Sequence, residues 1–337
     1  MALQASQATE FAAVESGTGQ SRLRSALRSG KLMAGVVILV IFVLVAIFGP
    51  LLVSQDPSAL SSDALQGPSS HHWLGTSQTG QDIYSQLVIS TRISMLVGFV
   101  AAAIATALSV VIGLIGGYVG GIIDEVLSVL SNVFLVIPAL PLVIVLAGYL
   151  PSKGSISVAV VISLTGWAWG ARIIRVQTLS IRKRDYVEAA RASGESLFRI
   201  LLWEILPNEG TIIAASFLGT VVFAILTQAS IAFLGLSDVS SWSWGTMLYW
   251  AESNNALLLG AWWWFVPPGL AIGLVGTGLA LMNFGIDELV NPRLRAAGIG
   301  TRKAARKLAR DSRREQGIKT AEASALNPRG SVRGRTR

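Results

Sequence analysis

The sequence predicts an all-α, polytopic membrane protein with six transmembrane helices and cytoplasmic N- and C-termini. Three observations predict it. Hydrophobic residues make up 52% of the 337 positions and charged ones 14%, too apolar for an ordinary soluble domain. Six apolar runs punctuate the chain, each long enough to cross a hydrocarbon core of about 30 Å. Lys and Arg collect almost wholly in alternate connections.

The net charge of +8 belongs to a tail. Residues from Thr301 onward hold 12 of the 27 Lys and Arg but only 3 of the 19 Asp and Glu, so the first 300 carry no excess of positive charge. A nucleic-acid partner loses its main support there. With no cysteine, disulfides, thiol nucleophiles and cysteine metal sites are excluded.

In order, Met1 to Ser29 is polar and reads as a disordered tail, closed by the basic collar Arg22, Arg24, Arg28 and Lys31. Leu32 to Val53 is the first span. It is too long for a secretory signal core, and its Gly49-Pro50-Leu51-Leu52 exit lacks a small-residue cleavage site. Ser54 to Thr91 is a polar outer loop with Asp56, Asp63, Asp82 and the adjacent His71 and His72. Ile93 to Tyr118 is the second span. Gly113, Gly117 and Gly121 stand four apart, a spacing that lets helices approach closely in lipid, and Gly269 and Gly273 in the last span share it. Val126 to Leu150 is the third, interrupted by Pro138 and Pro141, which demands neighbours to satisfy the freed carbonyls. Ile156 to Ile174 is the fourth, Thr211 to Leu236 the fifth and Ala261 to Phe284 the sixth, with Trp262, Trp263 and Trp264 as an interfacial anchor. The loop Ser237 to Gly260 holds Trp242, Trp244, Tyr249 and Trp250. It either dips to cap a cavity or forms an aromatic belt. The tail from Thr301 reads as disordered, either drawn to anionic head groups at about 1 kcal/mol per basic residue or simply solvated. These segments suggest divisions at 1–31 (cytoplasmic tail), 32–91 (first helix and outer loop), 92–297 (five-helix core) and 298–337 (basic tail).

Orientation follows from charge. With the N-terminus inside, Arg22, Arg24, Arg28, Lys31, Arg172, Arg175, Arg182, Lys183, Arg184, Arg191, Arg199, Arg293 and Arg295 lie inside, while Arg92 and Lys153 lie outside. The cytoplasmic stretch Glu188 to Asn208 is polar and helix-prone. Val187, Ala190, Leu197, Leu201 and Ile205 recur along one face of a helix from about Asp185 to Leu202. Ala189 and Ala190 keep it slim, Gly194 bends it, and Pro207 marks the start of a new segment. On residues alone this is either an amphipathic connector or a handle for a partner.

The same residues carry a resemblance. Glu188-Ala189-Ala190, Gly194 and Leu206-Pro207 resemble the EAA loop of membrane subunits of ABC importers. The form Ile205-Leu206-Pro207-Asn208 is most similar to the dipeptide/oligopeptide/nickel permease subfamily. Glu204 stands where the general pattern is apolar and the peptide branch is often polar. His72-Trp73-Leu74-Gly75-Thr76 and Gly80-Gln81-Asp82-Ile83 resemble outer-loop segments of that subfamily, with Gln81 where Arg is usual. Ala232 to Leu236, Ser243 to Leu248, Pro267 to Ile272 and Asn291 to Arg295 resemble later ones, while Asn283-Phe284 replaces a usual Gly-Asp.

The resemblance implies a type I importer-like permease of a bacterial inner membrane. It implies coupling to ATPase subunits through Glu188, Ala189, Ala190, Gly194, Leu197, Leu201 and Pro207. The partners it implies are a second homologous permease subunit, two ATP-binding subunits, an extracytoplasmic solute-binding protein and membrane lipids, with no nucleic acid. The chain has no P-loop pattern G-x-x-x-x-G-K-S/T, H-E-x-x-H or nucleophile elbow. No catalytic residue, cofactor or metal is therefore expected in it, and ATP and Mg would sit on the partners. His71 and His72 read as structural rather than metal-binding. Nickel or another small solute is the alternative cargo, and a passive channel the alternative class.

Overall fold

The computed structural model describes residues 30–53, 55–149 and 152–290, with side chains to Ile286. Both predicted tails, with Arg22, Arg24, Arg28 and the Asn291 to Arg295 segment, lie outside the described residues. By its contacts the chain divides after Ile286, and beyond that point only the last residues of one helix are described.

Among the described residues the fold is helical, with one isolated bridge between Thr76 and Asp82 and no strand. Helix α1 is Gly30–Leu52, α2 Ile83–Val119, α3 Gly121–Val136, α4 Ala139–Gly148, α5 Ser155–Ile181 and α6 Asp185–Ala192. The single turn α7, Leu197–Arg199, runs through a π-helical stretch, Ile200–Ile205, into α8, Leu206–Phe233. Helix α9 is Trp244–Ser253 and α10 is Trp262–Val290. Five helical stretches are long and apolar enough to cross a membrane: α1, α2, α5, α7 with α8, and α10. The expected third span is no rod. Its halves α3 and α4 meet at 91°, because Pro138 brings no N–H to continue the ladder, so it counts as a sixth span only as a bent pair.

Outward faces show why the chain needs lipid. On α1, Val37, Val40, Ile41, Leu44 and Phe48 form an exposed apolar stripe at helical spacing, and Leu96, Val100, Ile104 and Val111 do so on α2. The opposite face of α2 packs in parallel along α5. A Cβ on Gly113 would lie 2.8 Å from Ala171 O, and one on Gly117 would lie 2.6 Å from Thr178 Cβ. Ser109 Oγ also donates to Trp167 O at 2.6 Å. Helix α8 lies antiparallel in the same layer, with Gly170 against Ser216 and Gly166 against Phe223.

Close approach by glycine is not uniform. Gly121 starts α3 at φ +60°, and a Cβ there would meet nothing within 4 Å. The same holds at Gly269 and Gly273. The glycines of α10 that do bring helices together are Gly278, over which Gly35 and Ile38 of α1 pack, and Gly285, which faces Leu32.

At one end of the bundle aromatics collect. Helix α2 starts at Ile83, well before the expected Ile93. Asp82 Oδ2 caps it by accepting from Ser85 N at 2.8 Å, and the polar residues Ser85, Gln86, Ser90 and Thr91 are buried. At 37 residues α2 is about 55 Å long, so part of it stands clear of a bilayer core of about 30 Å. The turns of residues 55–82 wrap this projection. Trp263 Nε1 donates to Thr76 O at 3.2 Å and Trp242 Nε1 to Ser58 Oγ at 3.1 Å. Trp264 and Trp244 are core residues rather than a belt, Trp244 donating through its backbone N to Ser94 Oγ at 3.0 Å.

Candidate functional site

The opposite end carries the basic residues, and there the chain between α5 and α8 forms an exposed turn. Helix α6 ends because Gly194 takes φ +78°, where a side chain would be strained. Ser196 then caps α7, its Oγ accepting from Arg199 N at 3.4 Å. The helix expected from about Asp185 to Leu202, with a bend at Gly194, is thus two helices broken at that glycine. Pro207 stands in the first turn of α8, as expected of a segment start, but no loop separates it from what precedes. The preceding residues widen into a π-turn in which Leu206 N bonds Leu201 O, relieving the clash of the proline ring with the turn behind it. Asn208 Nδ2 donates to Glu204 O at 2.7 Å, and the helix runs on into α8.

One face of this turn is anchored. Val187, Ile200, Leu201 and Ile205 are buried against Leu114 of α2 and Ile174 and Ile181 of α5, with Ala190 and Tyr118 at the edge. The other face is open. Glu188, Ala189, Gly194, Leu197 and Pro207 are exposed, and beside them Phe198 is 69% and Trp203 74% accessible. Of the seven predicted coupling positions, five therefore share the exposed side, while Ala190 is half-buried and Leu201 anchors the turn. Phe198 and Trp203 escaped the sequence reading, although large apolar residues in a polar connection were a signal.

Charge fixes the base of the turn. Arg175 binds Asp124 bidentately through Nε and Nη2, the latter at 2.7 Å, tying the start of α3 to α5. Arg182 donates to Gly117 O at 3.0 Å, and the Arg191 guanidinium lies 5.3 Å from the centre of the Tyr118 ring. Arg175, expected in a connection, is inside α5. Glu209, in the first turn of α8, is fully buried.

Between α3, α4, α5, α8 and α10 lies a cavity of about 540 Å³ whose lining includes Pro138, Thr165, Trp169, Ser216, Thr220 and Asn283. No charged residue lines it. At the aromatic end His72 Nδ1 is 2.9 Å from Asp82 Oδ1, so this histidine braces the helix cap, and no cluster suited to a metal ion occurs among the described residues.

Residues 109–296 match the family model described as binding-protein-dependent transport system inner membrane component, and residues 23–68 match the N-terminal TM domain of oligopeptide transport permease C. The chain belongs to this permease family. The first match takes in the basic-end turn, the arginine-fixed base and the cavity together. Among relatives, the oligopeptide transport system permease protein OppC of Bacillus subtilis is 34% identical over 80% of this chain and 88% of its own. The dipeptide transport system permease protein DppC of Alkalihalophilus pseudofirmus is also 34% identical, over 80% and 88%. The probable D,D-dipeptide transport system permease protein DdpC of Escherichia coli is 33% identical over 76% and 86%. This chain is a membrane permease subunit, and its relatives are transport permeases rather than enzymes.

Proposed function

We propose that this permease forms part of the path by which di- and oligopeptides enter the cell, driven by ATP hydrolysed on separate subunits. The observation that carries the proposal is the exposed turn around Glu188, Ala189 and Gly194, rooted in a family whose members named above transport peptides. The basic end faces the cytoplasm of a bacterium, across the inner membrane, as positive-inside charge favours. Two ATP-binding subunits, holding ATP and Mg, grip Glu188, Ala189, Gly194, Leu197 and Pro207, with Ala190 and Leu201 seating the turn. Their closure tilts α5 and α8 and switches access to the cavity. A second, homologous permease completes the path, with lipid around both. A solute-binding protein docks at the aromatic end, and nucleic acid has no part.

The names of the relatives favour peptide over nickel as cargo. A passive channel would not need an exposed, rigidly rooted turn. The test pairs Gly194→Asp and Glu188→Arg with peptide uptake and copurification of the ATPase in a deletion strain grown on defined peptides. Both variants should lose ATPase and uptake together. Full uptake by both would refute the docking role, and rescue of nickel-limited growth alone would refute the cargo.

A further inference from the structure

The turn between α5 and α8 has two stems, and a single polar contact joins them. Thr178 stands three residues before the end of α5, and Glu209 three residues after the start of α8. Glu209 Oε1 lies 2.7 Å from Thr178 Oγ1. Both side chains are fully buried, and Glu209 Oε2 reaches no partner. The surroundings are the apolar cluster of Ile174, Ile181, Ile205, Leu206 and Ile213. Thr178 is itself held on a third helix, because its Cβ and methyl pack over Gly117 of α2.

The contact is not an ion pair. Thr178 is uncharged, no cation among the described residues is within ion-pair distance of Glu209, and four nearby arginines are engaged elsewhere: Arg175 with Asp124, Arg182 with the Gly117 and Tyr118 carbonyls, Arg191 with the Tyr118 ring and Arg199 with Glu195. Packing alone does not account for it either, since a leucine would fill the site without burying a carboxyl group. One polar contact in an apolar cluster sets register: it is satisfied in one alignment of the two helices and lost when they slide. The Thr178 hydroxyl has one proton and two acceptors in reach, Ile174 O at 2.9 Å and Glu209 Oε1. Both contacts close together when the carboxyl group brings its own proton, an arrangement that a glutamine amide reproduces.

We propose that Glu209 and Thr178 clamp the two stems of the turn so that α5 and α8 move as one body, making Glu209 a positioning residue for coupled transport. The proposal rests on the coupling role given to the turn. With the clamp closed, a push on the exposed face tilts both helices. With it open, the push is absorbed as sliding of α8 along α5, and ATP is hydrolysed without transport.

The test uses the whole transporter, reconstituted with its partner permease, ATP-binding subunits and solute-binding protein. Spin labels on cysteines placed at the exposed Ser180 and Gly210, in a chain with no other cysteine, report the separation of the stems with and without nucleotide. Peptide uptake and ATP hydrolysis are read from the same preparations. Glu209→Gln should keep one narrow separation and uptake per ATP within about twofold of the parent, whereas Glu209→Leu and Thr178→Val should broaden it and lower uptake per ATP about tenfold. The double variant should be no worse than either single, because both remove one contact. Should Glu209→Leu fail to assemble, Thr178→Val carries the test, since it keeps the methyl on Gly117 and loses only a hydroxyl. An unchanged separation in Thr178→Val, or a Glu209→Gln that behaves like Glu209→Leu, overturns the clamp. Labels that respond as expected in a preparation that takes up no peptide would instead refute the proposed cargo.

Discussion

A methyl group on Gly117 would lie 2.6 Å from Thr178 Cβ and 2.8 Å from Arg175 O, and neither a helix backbone nor a branched carbon can move far. Gly117→Val should therefore lower the stability of the purified chain by about 1–3 kcal/mol, seen as a drop in detergent melting temperature and in accumulation. Gly269→Ala is the matched control. A Cβ there meets nothing within 4 Å, and alanine favours a helix by about 1 kcal/mol, so its melting temperature should hold or rise. Asp82 joins two elements through one carboxylate, Oδ2 accepting from Ser85 N while Oδ1 lies 2.9 Å from His72 Nδ1. Asp82→Ala should cost about 1–2 kcal/mol and Asp82→Asn less. Limited proteolysis within residues 55–82 checks this, because cleavage should speed up only when the cap is lost.

At the scale of elements, apolar runs made the crossing segments legible and local chemistry hid their ends. The first turns of α2 read as loop because Ser85, Gln86, Ser90 and Thr91 are polar, yet all four are buried, so tertiary contact overrides hydropathy there. Gly194 was legible as a bend, and its left-handed conformation makes that bend a full break between α6 and α7. Pro207 was legible as a segment start and lies in the first turn of α8, but nothing in the sequence announces the π-turn that joins it to α7 without a loop. Spacing of four identified glycines but not the face they occupy. Gly113 and Gly117 meet α5, whereas in α10 the contact falls on Gly278 and Gly285 rather than Gly269 and Gly273. Glu209 is an acid two residues after a proline at the edge of an apolar run, and only the fold reveals its burial. The exposed face of the turn can be tested as a unit. Phe198→Ala and Trp203→Ala remove side chains with little internal packing, so stability should change by no more than about 0.5 kcal/mol. Recovery of ATP-binding subunits in a pull-down should nevertheless fall sharply. Undiminished recovery would show that the ATPases grip elsewhere.

At the scale of the whole molecule, the two ends of the bundle differ in chemistry, and the proposed coupling requires the basic end to face the ATP-binding subunits. One end gathers Arg172, Arg175, Arg182, Lys183, Arg184, Arg191 and Arg199, and the other gathers Trp73, Trp242, Trp250, Trp262 and Trp263. Helices α1 and α8 run one way between these ends and α2, α5 and α10 the other, so one accessible position at each end determines the sidedness of all five. The bent pair α3 and α4 starts beside the end of α2, at the base fixed by Arg175, and follows them. Because the chain has no cysteine, Ser70→Cys in the wrapped turns and Ser193→Cys beyond α6 give one reactive thiol each, both at exposed positions. A membrane-impermeant maleimide added to intact cells should label Ser70→Cys directly and Ser193→Cys only after permeabilisation. Anchoring seven cations outside would oppose both the insertion bias and a membrane potential worth about 2.3 kcal/mol per charge per 100 mV. The reverse pattern would put the turn out of reach of ATP and leave the family's shared architecture without a motor at this site.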